Sequence, residues 1–329
     1  MRPPLRYAII IILICVAACQ PVASADDLAS AQQETRLPPA TARATQVRSV
    51  VTRAPTETAT FDPTPPTAPP PATVEPELLT QVAMPLATTT LPGDTTLIGR
   101  SAGGRGILAR RFGSGGKLLM IVGGIHGGWE ANTVTLVNML IDHYAQNPQD
   151  IPSGVALALI PVANPDGLPY GREAQGRFND HGVDLNRNWG CGWQEDAVWR
   201  SSRVNAGPYA FSEPETSALA DFIQAARPYA VIFYHSAAGG VFSGSCEESP
   251  VGADGAAASD RLAAIYGESA GYQYGAEFDA YPVTGTAPSW IAGLGIASAD
   301  VELQTWTDPE FERNLRALSA LMTWMVQGN

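Results

Sequence analysis

The chain has 329 residues, of which 45% are hydrophobic and 16% charged, and its formal net charge at pH 7 is -12. The excess of acidic residues excludes a protein that binds nucleic acid through a basic surface. The four cysteines are too few for a small fold built on a disulfide framework.

Residues 1–19 have the pattern of a bacterial export signal. Two arginines precede an apolar run over residues 7–18, which is too short to span a membrane. The run ends at Cys19 in a sequence that resembles a lipobox, so we expect lipidation of Cys19 and an extracytoplasmic protein anchored to the cell membrane. The alternative is a secretory signal cut after Ala25, which would release a secreted protein.

Residues 20–92 are dominated by proline and threonine. Such a segment buries too little apolar surface to offset the entropy of ordering it. We expect a disordered, extended spacer, partly in polyproline II conformation, that holds the next domain off the membrane. A dispensable linker is the alternative. Residues 93–329 are then one large domain.

Apolar runs alternate with segments of helical periodicity along the domain. Strands are predicted at residues 118–122, 155–162, 229–234 and 296–303, and helices at 133–144, 212–226 and 309–326. Ser212 is the predicted N-cap of the second helix. The alternation predicts an α/β domain with a central mixed, largely parallel twisted sheet flanked by helices. Ligand sites of such sheets lie at the carboxyl ends of the strands.

Polar residues stand where two of the predicted strands end. His126 follows the first strand, with Glu130 four residues later, and His235 follows the third strand. Two imidazoles and a carboxylate are a typical ligand set of catalytic zinc. A histidine at a strand end is more often a hydrogen-bonded structural residue, so this spacing alone leaves both interpretations open.

A second group of residues can bind or polarise a substrate. Asp184, Asn186 and Arg187 share one short segment, in which the guanidinium can grip a carboxylate with two hydrogen bonds. Arg177 lies upstream and can stabilise a developing oxyanion. Glu302 stands in the apolar fourth strand, where a carboxylate is costly unless it has a task such as that of a general base.

With these residues in place, the domain resembles the M14 zinc carboxypeptidases, the family of carboxypeptidase A and its bacterial peptidoglycan-cleaving relatives. The matching segments cover essentially all of residues 93–329 in the family order: Gly99–Ser101 with Gly104–Arg105, His126 to Glu130, Asn164–Gly167, Gly182–Trp189, His235–Ser236, Tyr281–Gly285 with Trp290, and Glu302. The resemblance implies hydrolysis of C-terminal peptide bonds by metal-activated water, with one zinc ion and a peptide or cell-wall peptide as substrate. We expect a monomer.

The resemblance also implies roles for the metal side of the site. His126, Glu130 and His235 resemble the zinc ligands, and Asp184 resembles the carboxylate that orients a ligand histidine. Glu302 resembles the general base that takes a proton from water and passes it to the leaving amine.

Three residues separate His126 from Glu130, whereas the family usually has two. Glycine can absorb the extra residue, because it reaches backbone conformations that other residues avoid. The alternative is that Glu130 is only an acidic residue favoured by the dipole at a helix N-terminus.

On the substrate side, Arg177 resembles the arginine that polarises the scissile carbonyl. Asn186 and Arg187 resemble the clamp for the terminal carboxylate, and Tyr281 resembles the mobile tyrosine that closes over the substrate. The position that usually sets side-chain specificity falls at Pro288, which favours a neutral or apolar substrate side chain over lysine or arginine.

Cys191 and Cys246 are the two cysteines of the domain. An even pair outside the cytoplasm suggests a disulfide, which would join two loops of the site; two free thiols are the alternative. For the function, the alternatives are an amidase or endopeptidase acting on cell-wall peptides and a catalytically inactive, tethered binding module. The intact set of histidines, glutamates and arginines argues against the inactive module.

Overall fold

The computed structural model describes residues 94–276, 278 and 280–327. The predicted signal of residues 1–19, including Cys19, and the predicted spacer of residues 20–92 lie outside the described residues. Within the described part of the chain, no helix combines the length and apolarity needed to cross a membrane.

The centre of the domain is an eight-stranded sheet with the order β1-β2-β4-β3-β7-β10-β8-β9. The strands of the described residues are β1 Asp94–Arg100, β2 Gly106–Phe112, β3 Lys117–Val122, β4 Val155–Ile160, β5 Val198–Trp199, β6 Ser202–Arg203, β7 Ala230–Ser236, β8 Gly240–Ser243, β9 Gln273–Tyr274 and β10 Ala297–Leu303. The central pairs β4-β3, β3-β7 and β7-β10 are parallel, whereas β1-β2, β2-β4 and β10-β8 are antiparallel. The predicted mixed, largely parallel sheet is therefore confirmed.

Helices cover both faces of this sheet. They are α1 Ala131–Gln146, α2 Pro214–Ala226, α3 Gly252–Ala270, α4 Ala287–Ala292 and α5 Phe311–Gln327. Helices α1, α3 and α5 pack on one face and α2 and α4 on the other. Because both faces are covered, β4 and β7 are buried along their whole length and read as continuous apolar runs in the sequence.

Two of the predicted boundaries that differ from the structure concern residues of interest. Helix α2 begins at Pro214 with Glu213 at its N-cap, not at Ser212. The Ser212 hydroxyl donates to Glu213 Oε1 at 2.8 Å and accepts from Asn188 Nδ2 at 3.0 Å, so it serves a side-chain network instead of the helix end. Strand β7 extends to Ser236, so His235 lies within the end of the strand.

The sheet order explains why distant residues meet. Strands β3, β7 and β10 are adjacent and parallel, so their carboxyl ends share one edge of the sheet. His126 follows β3, and His235 and Glu302 stand at the ends of β7 and β10. The topology therefore gathers all three side chains at the edge where open α/β sheets bind their ligands.

Candidate metal centre and active site

His126, Glu130 and His235 form a buried cluster at this edge. Their candidate ligand atoms all lie within 4.8 Å of one another, and the two imidazole rings are 5.0 Å apart between centroids. The three residues are only 2%, 3% and 2% exposed. The structure therefore brings together the three residues that the sequence predicts as metal ligands.

The extra residue between His126 and Glu130 is accommodated by a short 3-10 helix, Gly127–Glu130. Gly127 has a φ of +45°, which a residue with a side chain rarely adopts. A Cβ at Gly128 would lie 2.6 Å from the backbone nitrogen of Gly171, closer than the packing allows. The two glycines thus let this segment turn tightly enough for Glu130 to reach the histidines.

The helix-end interpretation of Glu130 does not fit its contacts. Glu130 stands at the N-cap of α1, but its side chain makes no capping hydrogen bond. Its Oε2 atom lies 3.2 Å from Nδ1 of His235. That oxygen is buried and has no hydrogen-bond partner. A buried carboxylate oxygen in this position is suited to a cation, so the cluster fits a metal ion.

The histidine pKa values follow from the same surroundings. Burial lowers the pKa of His126 well below its ordinary value, and the positive charges of Arg177, His235 and Arg187 lower it further. A neutral imidazole is the form that binds metal. Burial also opposes a charge on His235, but the carboxylates of Asp300 and Glu130 outweigh it and raise the pKa of His235.

Glu302 lies beside the cluster on the neighbouring strand. The parallel register pairs it with His235, and its Oε2 accepts a hydrogen bond of 3.1 Å from the Ala238 backbone. Burial raises the pKa of Glu302 to about 7; the positive charge of His235 opposes this rise, and the charges of Glu130 and Asp300 add to it. A carboxyl group with a pKa near 7 can both accept and return a proton at neutral pH.

Asp184 links the metal cluster to Arg177. Its Oδ2 accepts a hydrogen bond of 2.8 Å from Arg177 Nε, and its Oδ1 lies 3.5 Å from Nδ1 of His126. Arg177 also places Nη1 3.9 Å from Oε1 of Glu130. The carboxylate predicted to orient a ligand histidine is therefore adjacent to that histidine, and it fixes the arginine at the same time.

Asn186 and Arg187 lie in a short 3-10 helix, Leu185–Arg187. Asn186 Oδ1 accepts from the Ala287 backbone at 2.9 Å. The Arg187 guanidinium donates to the carbonyl oxygens of Val198 at 3.0 Å and Asn186 at 2.7 Å. These bonds fix the side chains before any substrate arrives, which lowers the entropy cost of binding.

Tyr281 and Pro288, which the sequence predicts as substrate contacts, line the site together with Arg187. The partly exposed Tyr281 packs on Phe278 with 5.0 Å between ring centroids, and its ring lies 6.0 Å from the Arg187 guanidinium. Pro288 is buried in the first turn of α4, and its carbonyl accepts a hydrogen bond from Ser298.

One cavity of 760 Å³ joins these groups. Its wall includes nearly every residue that the sequence singles out for metal, catalysis or substrate: His126, Glu130, Arg177, Asn186, Arg187, His235, Tyr281, Pro288 and Glu302. Asp184 lies behind the wall, as expected of a residue that acts through its neighbours. The predicted site residues therefore form one site.

Cys191 and Cys246 form a disulfide with 6.0 Å between their Cα atoms. The predicted bridge is confirmed, and the alternative of two free thiols is wrong. The bridge ties the segment after Trp189 to the segment after β8, which lines the cavity.

The other two histidines stand apart from the metal cluster: His143 contacts Asp150 at 2.9 Å and His181 contacts Glu213 at 2.7 Å.

Sequence reasoning missed two acidic residues of the cavity wall, Asp260 and Asp300. Asp300 stands in the same apolar strand as Glu302, so the cost of a carboxylate there was the signal that could have found it. Asp260 lies on α3, and its carboxylate accepts from Ser243 at 2.6 Å. Because Asp260 and Asp300 join Glu130 and Glu302 on the wall, the neutral residue Pro288 does not by itself define the charge of the cavity.

Comparison with known proteins places these features in context. Residues 94–312 match the profile of the protein family described as "Zinc carboxypeptidase". The zinc carboxypeptidase A 1 of Drosophila melanogaster is 33% identical over 158 residues, which cover 41% of this chain and 37% of that protein. The matches to the first curated relatives span less than half of each relative's length.

Two solved structures share the fold. Bovine thrombin-activatable fibrinolysis inhibitor, in complex with tick carboxypeptidase inhibitor, has a TM-score of 0.59 and 21% identity, over 71% of this chain and 90% of that chain. A murein-tripeptide amidase from Escherichia coli O157 has a TM-score of 0.54 and 23% identity, over 71% and 93% of the two chains. At these identities the likeness establishes the fold alone.

Proposed function

Because this chain belongs to the zinc carboxypeptidase family, we propose that it is a metallocarboxypeptidase that hydrolyses the C-terminal peptide bond of its substrate. The observation that carries the proposal is the buried cluster of His126, Glu130 and His235, which opens into the same cavity as Arg187 and Glu302. A metal centre, a carboxylate-binding cation and a proton acceptor thus face one space, as this reaction requires.

The three cluster residues hold one zinc ion in this proposal. When bound, zinc supplies a Lewis acid and an activated water to the reaction. Burial keeps the imidazole of His126 neutral and therefore able to bind metal. Asp184 accepts a hydrogen bond from Arg177 and lies beside His126, with 3.5 Å between Oδ1 and Nδ1, so one carboxylate connects two parts of the site.

Arg187 binds the terminal carboxylate of the substrate in this proposal. Arg187 is 2% exposed, and its guanidinium is already oriented by two backbone carbonyl oxygens, so the charge is presented in one geometry. Asn186 lies next to it as a second polar contact, and Tyr281 stands near the Arg187 guanidinium, where it can close over a bound peptide. These residues select a chain end with a free carboxylate.

Glu302 moves the proton. With a pKa raised to about 7 by burial, its carboxylate takes a proton from the attacking water and returns it to the leaving amine. Arg177, held by Asp184, is placed to stabilise the negative charge that develops on the carbonyl oxygen.

A panel of peptides with free and amidated C-termini, assayed before and after zinc chelation, tests the proposal. We expect release of the last residue from the free acids, little cleavage of the amides, loss of activity with the chelator and recovery on adding zinc. An unchanged rate in the chelator, or a purified protein that binds no zinc, would contradict it. A protein that binds the peptides but cleaves none would support the inactive binding module instead.

A cell-wall peptide is the second candidate substrate. The fold likeness to a murein-tripeptide amidase, which covers 93% of that chain, supports including it. Peptidoglycan fragments therefore belong in the same panel. Cleavage of these fragments without cleavage of ordinary peptides would select an amidase or endopeptidase of the cell wall.

We further propose that the domain works outside the cytoplasm as a lipoprotein. The export pattern of residues 1–19, the cysteine at its end and the proline-rich residues 20–92 support a lipid anchor at Cys19 with a spacer. Mass spectrometry of the protein from a lipoprotein-processing bacterial host tests this, with the Cys19→Ala variant as control. Lipid on the wild-type N-terminus is expected; an unmodified chain cut after Ala25 would indicate a secreted form.

A further inference from the structure

Asp300 is one of two carboxylates of the cavity wall, with Asp260, that the proposed reaction does not use. It stands two residues before Glu302 on β10, so both side chains lie on the same face of the strand. In the parallel register of β10 and β7, Glu302 is paired with His235, so Asp300 lies two residues before the position beside His235. Asp300 is therefore close to a metal-cluster residue through the packing of two neighbouring strands.

The two ring nitrogens of His235 face different groups. Nδ1 lies 3.2 Å from Oε2 of Glu130, on the side of the metal cluster. Nε2 lies 3.2 Å from Oδ1 of Asp300 on the other side. That Asp300 oxygen is buried and has no hydrogen-bond partner. A buried carboxylate oxygen without a hydrogen bond costs free energy, and a hydrogen on Nε2 that is donated to Asp300 would remove this cost.

Asn186 faces the same nitrogen and has the opposite preference. Its Oδ1 is occupied by the Ala287 backbone, so its Nδ2 donor lies 3.4 Å from Nε2 of His235. A neutral imidazole carries one hydrogen, on one nitrogen only. Asn186 favours the tautomer with a bare Nε2, whereas Asp300 favours the tautomer with Nε2–H. Asp300 Oδ1 lies nearer to Nε2 than Asn186 Nδ2 does, and a charge-assisted hydrogen bond is stronger than a neutral one.

We propose that Asp300 is a positioning residue for the metal centre: its carboxylate accepts the Nε2 hydrogen of His235 and so leaves Nδ1 free to bind the metal on the Glu130 side. A carboxylate behind a ligand histidine fixes both its tautomer and its ring orientation. Each histidine of the cluster then has its own carboxylate, Asp184 for His126 and Asp300 for His235. The inference rests on the proposed zinc centre.

Zinc affinity tests this role without relying on turnover. The dissociation constant is measured by competition with a chromophoric chelator for the wild type and for the Asp300→Ala, Asp300→Asn and Asp260→Ala variants. We expect Asp300→Ala to weaken zinc binding about 10- to 100-fold. Asp300→Asn should recover part of the loss, because its amide oxygen can still accept the hydrogen.

Asp260→Ala is the matched control, because it removes a carboxylate from the same cavity wall that contacts Ser243 instead of His235. Its zinc affinity should equal that of the wild type. An equal loss of zinc affinity in both alanine variants would mean that the effect comes from the overall negative charge of the cavity, not from the contact with His235. That outcome, or an unchanged affinity in Asp300→Ala, would overturn the proposal. A changed preference for substrate side chains with unchanged zinc affinity would also overturn it and make Asp300 a substrate contact.

Nitrogen NMR of the wild-type histidines provides a test that needs no variant to fold. In the zinc-loaded protein, His235 should carry its hydrogen on Nε2; a hydrogen on Nδ1 would contradict the proposal. Failure of the proposed function looks different, since the wild type would then bind no zinc or cleave no C-terminal peptide. If the wild type does both and Asp300→Ala binds zinc equally well, only the role of Asp300 is lost.

Discussion

The metal side and the substrate side of the cavity are built in different ways. His126 follows β3, and His235 and Glu302 stand at the ends of the adjacent strands β7 and β10. Both histidines are buried. Residues 281–286 have no regular structure, and Val283 there is 39% exposed. The comparison teaches that the groups that carry out chemistry are fixed by the sheet, whereas the groups that recognise substrate depend on a few specific links.

Those links can be named. Asn186 Oδ1 holds the start of α4 through the Ala287 backbone, and the Trp189 backbone donates to the carbonyl oxygen of Gly285 at 3.0 Å. The disulfide between Cys191 and Cys246 adds a covalent link. We therefore expect substitutions on the metal side to change the rate of catalysis, and substitutions on the substrate side to change mainly the Michaelis constant.

The largest effect is expected from Glu302→Gln. Loss of a general base lowers kcat by about 10²- to 10⁴-fold, while the zinc cluster keeps its three ligands. Steady-state kinetics combined with measurement of bound zinc checks this. Normal turnover in the variant would contradict the view that the sheet positions the catalytic groups, because Glu302 would then have no catalytic role.

Arg187→Ala is expected to have the next largest effect, on the substrate side. Loss of the buried cation that pairs with the terminal carboxylate costs about 2–5 kcal/mol, which corresponds to a rise of about 30-fold or more in KM. The residual rate on C-terminal amides is the control and should change little, since an amide lacks the charge. Arg187→Lys should restore only part of the affinity, because an ammonium group cannot form the paired contact. Equal losses on acids and amides would contradict the clamp.

Removal of the disulfide by Cys191→Ser with Cys246→Ser is expected to lower the free energy of unfolding by about 2–4 kcal/mol. Urea unfolding of the wild-type and double-serine proteins measures it. Because the bridge lies on the substrate side, KM should rise while zinc affinity stays near its wild-type value. A fall in zinc affinity with no change in KM would show that the two sides are not separable.

The smallest effect expected is a pH dependence of the metal-free protein. Burial raises the pKa of Glu302 from the ordinary 4.5 to about 7, so the folded state favours the neutral carboxyl. Its contribution to stability is full below about pH 4.5 and is lost as the pH rises through 7. In thermal unfolding of the zinc-free protein, the melting temperature of the wild type should therefore fall by a few degrees relative to that of Glu302→Gln as the pH is raised from 5 to 8. A difference that does not change with pH would contradict this origin.

The candidate residues of the metal side could be found in the sequence because their signals are local, although the roles proposed for them came from the resemblance to a family. A histidine at the end of an apolar run, or a carboxylate within one, is visible without knowledge of the fold. Glu130 was less certain from spacing alone, and only the short helix through Gly127 and Gly128 shows how it reaches the histidines. Ser212 was wrongly assigned as a helix cap because its partner Asn188 lies far away in the sequence.

The sequence by itself predicted the α/β class, the candidate ligands, a candidate general base, a candidate carboxylate clamp and the two cysteines that pair. It did so because each is a local pattern of residue types in a recognisable order. Only the tertiary structure decided that Asp300 lies 3.2 Å from His235 and that Asp184 lies beside both His126 and Arg177. Only the structure, too, places Asp260 and Asp300 on the cavity wall with Glu130 and Glu302. These facts depend on how segments far apart in the chain pack together, and for Asp300 on the register of β10 against β7, which the pattern within one segment does not encode.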